Sequence, residues 1–185
     1  MSTLETNLIQ PATGTALTVG ASGDTITIPS GATLNVAGTA GTNIGKILQV
    51  VSTAYSGELS TTSTTFVTCG FSASITPSST SSKIAIWVSI PTYTASTERG
   101  SYTVFRDSTN LGEDASAGTY YDAFAYQYDD DGPNSTGMAA FNKVDSPAST
   151  SSITYTPKYV SIGGGSVYTG IWGGTCSITL MEIGA

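Results

Sequence analysis

Residues 83–90 read KIAIWVSI, and the order of those eight side chains constrains the chain more than any other feature. Ile84, Ile86, Val88 and Ile90 fall on one side of an extended backbone and Trp87 on the other, because successive side chains of a strand point to opposite faces. Strand-like segments recur at 46–52 (KILQVVS), 64–71 (TTFVTCGF), 102–106 (YTVFR), 119–128 (TYYDAFAYQY), 138–144, 153–160, 166–171 and 177–183. Turn-forming residues such as those of 74–79 (SITPSS) separate them. No stretch sustains a helical period. The pattern predicts an all-β fold, with about nine strands in a jelly-roll-like antiparallel β-sandwich over residues 46–185. Composition agrees. Serine and threonine number 57 and glycine 21, while only 10% of residues are charged. A disordered chain combines low hydrophobicity with high charge, and here the charge is missing.

The first 45 residues differ from the rest, with only two charges, Glu5 and Asp24, and no aromatic residue. They hold a loose repeat: ALTV at 16–19, TITI at 25–28 and TLNV at 33–36, each followed by a Gly- or Pro-containing turn. Strands this short bury two apolar side chains each, too few for one copy of the chain to form a core from them. Repeats that cannot bury a face alone must stack on neighbours. Three copies around an axis would supply the missing partners. The expected organisation is a segment 1–15 without a readable motif, a trimeric β-stem at 16–45, and the sandwich at 46–185.

Several chemistries are disfavoured. The sequence has no histidine, which removes the commonest general base and most zinc sites. Six basic and thirteen acidic residues leave no basic patch to neutralise phosphates, so nucleic acid is not an expected partner. The longest apolar run is far short of the ~20 residues of a membrane helix, so no membrane partner is expected either. The opening residues MSTLET lack the basic region and apolar core of a signal peptide, so synthesis in a cytoplasm is expected.

Three groups of residues are candidate sites. The first is the aromatic segment in which Tyr120, Asp122, Phe124, Tyr126 and Tyr128 would share a face if 119–128 were one strand. Tyrosine rings beside carboxylates suit a glycan, and suit a subunit interface or core equally well. The second is Asp129, Asp130 and Asp131. They close a run from Asp107 that holds seven acids and no base. Clustered carboxylates can hold calcium, but the spacing lacks the alternating ligands of an EF-hand, and a solvated loop tip is the simpler reading. The third is Cys69 with Cys176, which an early and a last strand could bring together as a disulfide, or leave as two buried thiols. Glycines 163–165 and 173–174 read as turns rather than phosphate loops, since no helix follows them.

Five motifs, in order, carry a resemblance. They are GDTITIPSGATL at 23–34, GKILQVV at 45–51, SITPSSTSSKI at 74–84, Asp145-Ser146-Pro147 with Tyr155, and SITLMEIGA at 177–185. Together they resemble the fibre proteins of marine and freshwater tailed phages. The resemblance implies a virion fibre or decoration protein, commonly trimeric, with a jelly-roll-like knob. Residues 92–137 match least. On this reading the N-terminus docks on tail or capsid proteins, and the knob touches a host-surface glycan through three weak sites acting together. A capsid decoration or cement protein is the alternative. A sugar-cutting enzyme using Asp122 with one of Asp129 to Asp131 is disfavoured, and no catalytic residue or cofactor is expected.

The stem argument yields a first prediction. Light scattering of the purified chain should give about three times its 18.9 kDa mass. A stable monomer at micromolar concentration would remove the argument.

Overall fold

The structure, a computed structural model, describes residues 47–95, 98–112, 122–128 and 134–184, with Thr25, Thr27 and residues 30–32. The chain divides into two compact units, Met1–Asn43 and Ile44–Ala185. In the first, the described residues include a turn at Ser30 and Gly31, where Gly31 has φ 85°. The expected stem strands at 16–19 and 33–36, and Ile26 and Ile28 of that at 25–28, lie outside the described residues.

The second unit is all-β. Its strands are β1 (Ile47–Tyr55), β2 (Leu59–Thr61), β3 (Val67–Thr68), β4 (Ala73–Ile75), β5 (Lys83–Ala95), β6 (Arg99–Arg106), β7 (Thr109–Asn110), β8 (Ala125–Tyr128), β9 (Asn134–Asp145), β10 (Ile153–Ser161), β11 (Val167–Thr169) and β12 (Cys176–Ile183). One 3-10 turn, Ile171–Gly173, separates the last two. Every pairing is antiparallel. The first sheet runs β1-β12-β5-β11-β2 with β9 along the other edge of β5. The second runs β3-β10-β6-β7, with β4 also on β10 and β8 also on β6. The alternation at 83–90 is present as read: Ile84, Ile86, Val88 and Ile90 are buried, and Trp87 is 44% exposed. They meet Tyr102, Val104, Tyr155 and Tyr159 of the second sheet in one hydrophobic core.

Two prolines explain where the sequence reading stopped short. The strand expected to end at Ile90 continues through Pro91 to Ala95. Proline cannot donate to a ladder, so a central strand tolerates it only where no acceptor waits. The Pro91 carbonyl accepts from Gly170 N–H at 2.9 Å. Carbonyl and nitrogen of one residue point the same way in an antiparallel strand, so the missing N–H lies on the side of β11 and β12. There the neighbouring chain is interrupted, between Thr169, opposite Thr92, and Ser177, opposite Ser89. Pro157 in β10 repeats the device. Its carbonyl accepts from Cys69 N–H at 3.0 Å, and its nitrogen faces the break between β3 and β4. Of the strand expected at 64–71 only β3, Val67–Thr68, forms; the chain bends at Gly70, φ 85°, and β4, Ala73–Ile75, extends into the segment 74–79 that reads as a turn.

Three buried carboxylates fasten the unit. Asp145 at the end of β9 receives Arg106 Nη1 at 2.8 and 2.9 Å and the Tyr155 hydroxyl at 2.8 Å, tying the first sheet to the second. Glu98 sits in the β5–β6 connection. Glu182 on β12 accepts from Gln49 Nε2 at 2.6 Å and from the Ser78 N–H and hydroxyl, both at 2.7 Å. It thereby pins the 76–82 turn to the end of the sheet. Burial works against its charge, but the hydrogen bonds from Gln49 and Ser78 outweigh that and hold its pKa down at about 2, from an ordinary 4.5.

The outward positions of the first sheet follow from the register: Val50 opposite Met181, Ala85 opposite Val144 and Met181, Trp87 opposite Asn142 and Thr179, and Pro91 opposite Met138. In most one-sided sheets such positions are polar. Here Ile47, Val50, Trp87, Met138 and Val144 are all exposed. Lys83 is the one charged residue among the outward positions of β1, β12, β5 and β9.

Because the Glu182 pKa is depressed, its contribution to stability should be complete above about pH 4.5 and vanish as pH falls to about 2. Glu182→Gln should lower unfolding free energy at pH 7 by about 1.5–3 kcal/mol, the usual range for a hydrogen-bonded charged group. It should also flatten the acid limb of a denaturation-midpoint-versus-pH curve. An unchanged acid limb would show that Glu182 is not the group responsible.

Candidate functional site

Strand β8 lies on the edge of the second sheet, with Tyr128 opposite Arg99 and Tyr126 opposite Ser101. Tyr126 and Tyr128 are two residues apart in a strand and therefore project together, 46% and 40% exposed. Their ring centroids are 6.4 Å apart, tilted by 31°. The Arg99 guanidinium stacks over the Tyr128 ring, 4.4 Å from its centroid, and its Nη2 donates to the Tyr128 hydroxyl at 3.2 Å. Between the tyrosines, Gln127 points inward, and its Nε2 donates to the Ser135 carbonyl of β9 at 3.0 Å. This bond carries β8 across to the first sheet and fixes the tyrosine edge on a rigid element. The edge offers two aromatic faces, phenolic hydroxyls and a guanidinium, a set able to stack on and hydrogen-bond a polyhydroxylated ring.

The expected five-residue face is corrected here. Asp122 to Phe124 do not belong to a strand; the chain bends at Ala123 and Phe124 before β8 begins. Parity is lost at the bend. Phe124 turns inward and stacks on Phe141 of β9, centroids 5.1 Å apart and 13° from parallel, with Lys143 Nζ 5.7 Å from its ring centroid. Asp122 is half-buried, and its backbone carbonyl accepts from Asn110 Nδ2 at 2.7 Å. Tyr120 and the acidic cluster Asp129, Asp130 and Asp131 lie outside the described residues. Arg99, which the sequence reading missed, completes the edge. No local signal marks it, since it lies 29 positions from Tyr128 and only strand pairing joins them.

Asp107 opens the acid-rich run and serves the turn after β6. It has φ 51°, its N–H donates to the Thr154 carbonyl at 2.8 Å, and its Oδ1 accepts from Thr154 N–H at 3.1 Å. Among the described residues, no three His, Cys, Asp or Glu side chains gather as a metal site would require. Cys69 and Cys176 are both buried and both free thiols. Burial, and for Cys69 also the neighbouring Cys176, pushes their pKa values up, so both stay protonated and poorly nucleophilic.

Glycines 163–165 form a turn, as read, and that turn does bind an anion, although the anion is the chain's own. The N–H groups of Gly163 and Gly165 donate to Glu98 Oε1 and Oε2 at 2.8 and 2.5 Å, and Arg99 N–H donates to Oε1 at 3.0 Å. Burial opposes the charge. The three N–H groups and the Ser161 hydroxyl prevail and hold the Glu98 pKa below its usual value. A Cβ at Gly163 or Gly165 would collide with this carboxylate. The loop is therefore filled from within.

No protein-family model matches the sequence, and no curated protein matches it.

The corrected geometry separates two classes of aromatic residue. Tyr126→Ala with Tyr128→Ala should leave unfolding free energy within about 0.5 kcal/mol of the parent, as for exposed positions generally. Phe124→Ala should cost roughly 1–3 kcal/mol, somewhat less than a fully buried phenylalanine. Equal losses in denaturant titrations would contradict the assignment of Phe124 to the inside.

Proposed function

We propose that this chain is a virion structural protein of a tailed phage, a homotrimeric fibre that contacts a host-surface glycan and carries out no catalysis. The observation that carries the contact role is the tyrosine edge: Tyr126 and Tyr128 with the stacked Arg99 guanidinium, exposed on a strand that Gln127 anchors to both sheets. Exposed aromatic rings on a rigid frame bind at low entropic cost, because tyrosine has few torsions to freeze. A single edge of this size binds weakly, and three on one particle give avidity. The ordered motifs at 23–34, 45–51, 74–84 and 177–185 support the virion setting. A non-catalytic role is in keeping with the environments of the described acids. Glu98, Asp145 and Glu182 are each held in structural hydrogen bonds.

The test combines location and binding. Gold-labelled antibody against the chain should decorate purified particles, and the chain should bind immobilised host lipopolysaccharide or capsular polysaccharide without releasing oligosaccharide. Tyr126→Ala with Tyr128→Ala should weaken that binding at least tenfold while the trimer persists. Undecorated particles would sink the virion reading. Decoration confined to the head shell, with no polysaccharide bound, would replace the fibre reading by that of a capsid cement protein.

A further inference from the structure

We infer that the outer face of the first sheet is the surface on which copies of this chain pack against one another, with Trp87 near its centre. The inference takes its copy number from the homotrimer reading above, but the surface is argued independently. Strands β1, β12, β5 and β9 lie side by side over about nine residues each. At ~4.8 Å between strands and ~3.3 Å per residue they form a platform of about 600 Å2. Specific interfaces occupy about 600–1,000 Å2 per partner, while the largest apolar patch of a typical monomer is itself about 300–600 Å2 and is often functional. This platform, whose outward residues also include Ser52, Ser89, Asn142 and Thr179, reaches the lower end of the first range before its margins are included.

Its chemistry selects the occupant. Trp87 is 44% and Met138 58% exposed, with Val50 and Val144 flanking them, and Lys83 stands at the end of β5 as the one outward charge of the four strands. The whole chain carries a net charge of −7. A basic partner would find nothing to pair with on this face, and an acidic one only Lys83 at its end. A second copy brings a face equally free of repulsion, which is what self-association of an acidic protein requires. Depletion of charge with enrichment of Trp, Met and Tyr is also the composition of interface centres.

A second observation comes from the backbone. At the margin, Trp172 sits in the left-handed region, φ 52° and ψ 35°, inside the 3-10 turn, and is 79% exposed. A bulky residue at positive φ is held under backbone strain. Gly170, φ 67°, makes the turn possible, since a Cβ there would lie 2.1 Å from the Gly57 carbonyl oxygen. The ring stands 6.4 Å from Tyr93, which projects outward from β5 opposite Tyr168. The fold thus adopts a strained conformation that presents a tryptophan to solvent beside an apolar sheet. In an assembly that ring would be covered by the neighbouring copy.

The experiment uses the full chain in three forms and light scattering. The parent should give about three times 18.9 kDa. Trp87→Glu with Met138→Glu should give the monomer mass, and Thr68→Glu, exposed on the second sheet, should remain trimeric. A charged double variant that stays trimeric overturns the surface assignment and leaves the trimer standing. A monomeric parent overturns both. Should the double variant fail to fold, quenching decides. In Trp172→Phe, Trp87 is the one remaining tryptophan, and acrylamide should quench it several-fold less in the trimer than in the denatured chain. Trp87 quenched as freely in the trimer, or shielded in a chain that is monomeric, overturns the inference.

Discussion

The described sandwich depends on the hydrogen bonding of β5. A thirteen-residue strand presents donors and acceptors along both edges, and each must find a partner if the strand is to be buried. β9 satisfies one edge along nearly its full length, and β12 and β11 share the other. The junction between those two is the one place on that edge where no donor is needed, and Pro91 occupies it. Everything on the far side of the junction follows: the 3-10 turn that makes the break, the strained Trp172 within it, and the return of the chain into β12 beside β1. In the second sheet, Pro157 lets β10 be central while β3 and β4 remain short, so the loop at Gly70 can fold over the core.

Charge is used sparingly and in two ways. Asp145, Glu98 and Glu182 are buried, each accepting at least three hydrogen bonds, and each joins segments far apart in sequence. Removing water from a carboxylate is expensive, so such groups persist only where the donor set is complete. They act as fasteners that hold one register and reject its neighbours. Asp107 is of another kind: it is exposed, and its two bonds with Thr154 absorb it into a turn.

The two surfaces have opposite characters. The outer face of the first sheet is broad and almost uncharged, with Ile47, Val50, Trp87, Met138 and Val144 exposed on it. The edge at β8 is narrow, aromatic and hydrogen-bonding, with a cation. The proposed assembly through one region and proposed glycan contact through the other would use this separation, because the same patch cannot be both dehydrated in an assembly and open to a glycan. Gln127 links them mechanically. It ties β8 to β9, the strand that bears Met138 and Val144 on its outward side.

What the sequence alone determined is local. Alternation at 83–90 established that strand, its buried face and the outward position of Trp87, because the period of two is a property of the backbone and needs no partner. The all-β class, the turns at glycines 163–165 and the burial of both cysteines were legible for the same reason. What only the tertiary structure decided is pairing. Proline at 91 reads locally as a stop, and becomes permissible when the neighbouring strand breaks beside it. Phe124 reads as a member of the tyrosine face, and leaves it because a bend resets parity where Phe141 offers a ring to stack on. Arg99 joins Tyr128, and Glu98 enters its glycine cradle, through contacts that span 29 and 65 or more positions. Such contacts depend on which strands lie side by side, and side-chain periodicity carries no record of that.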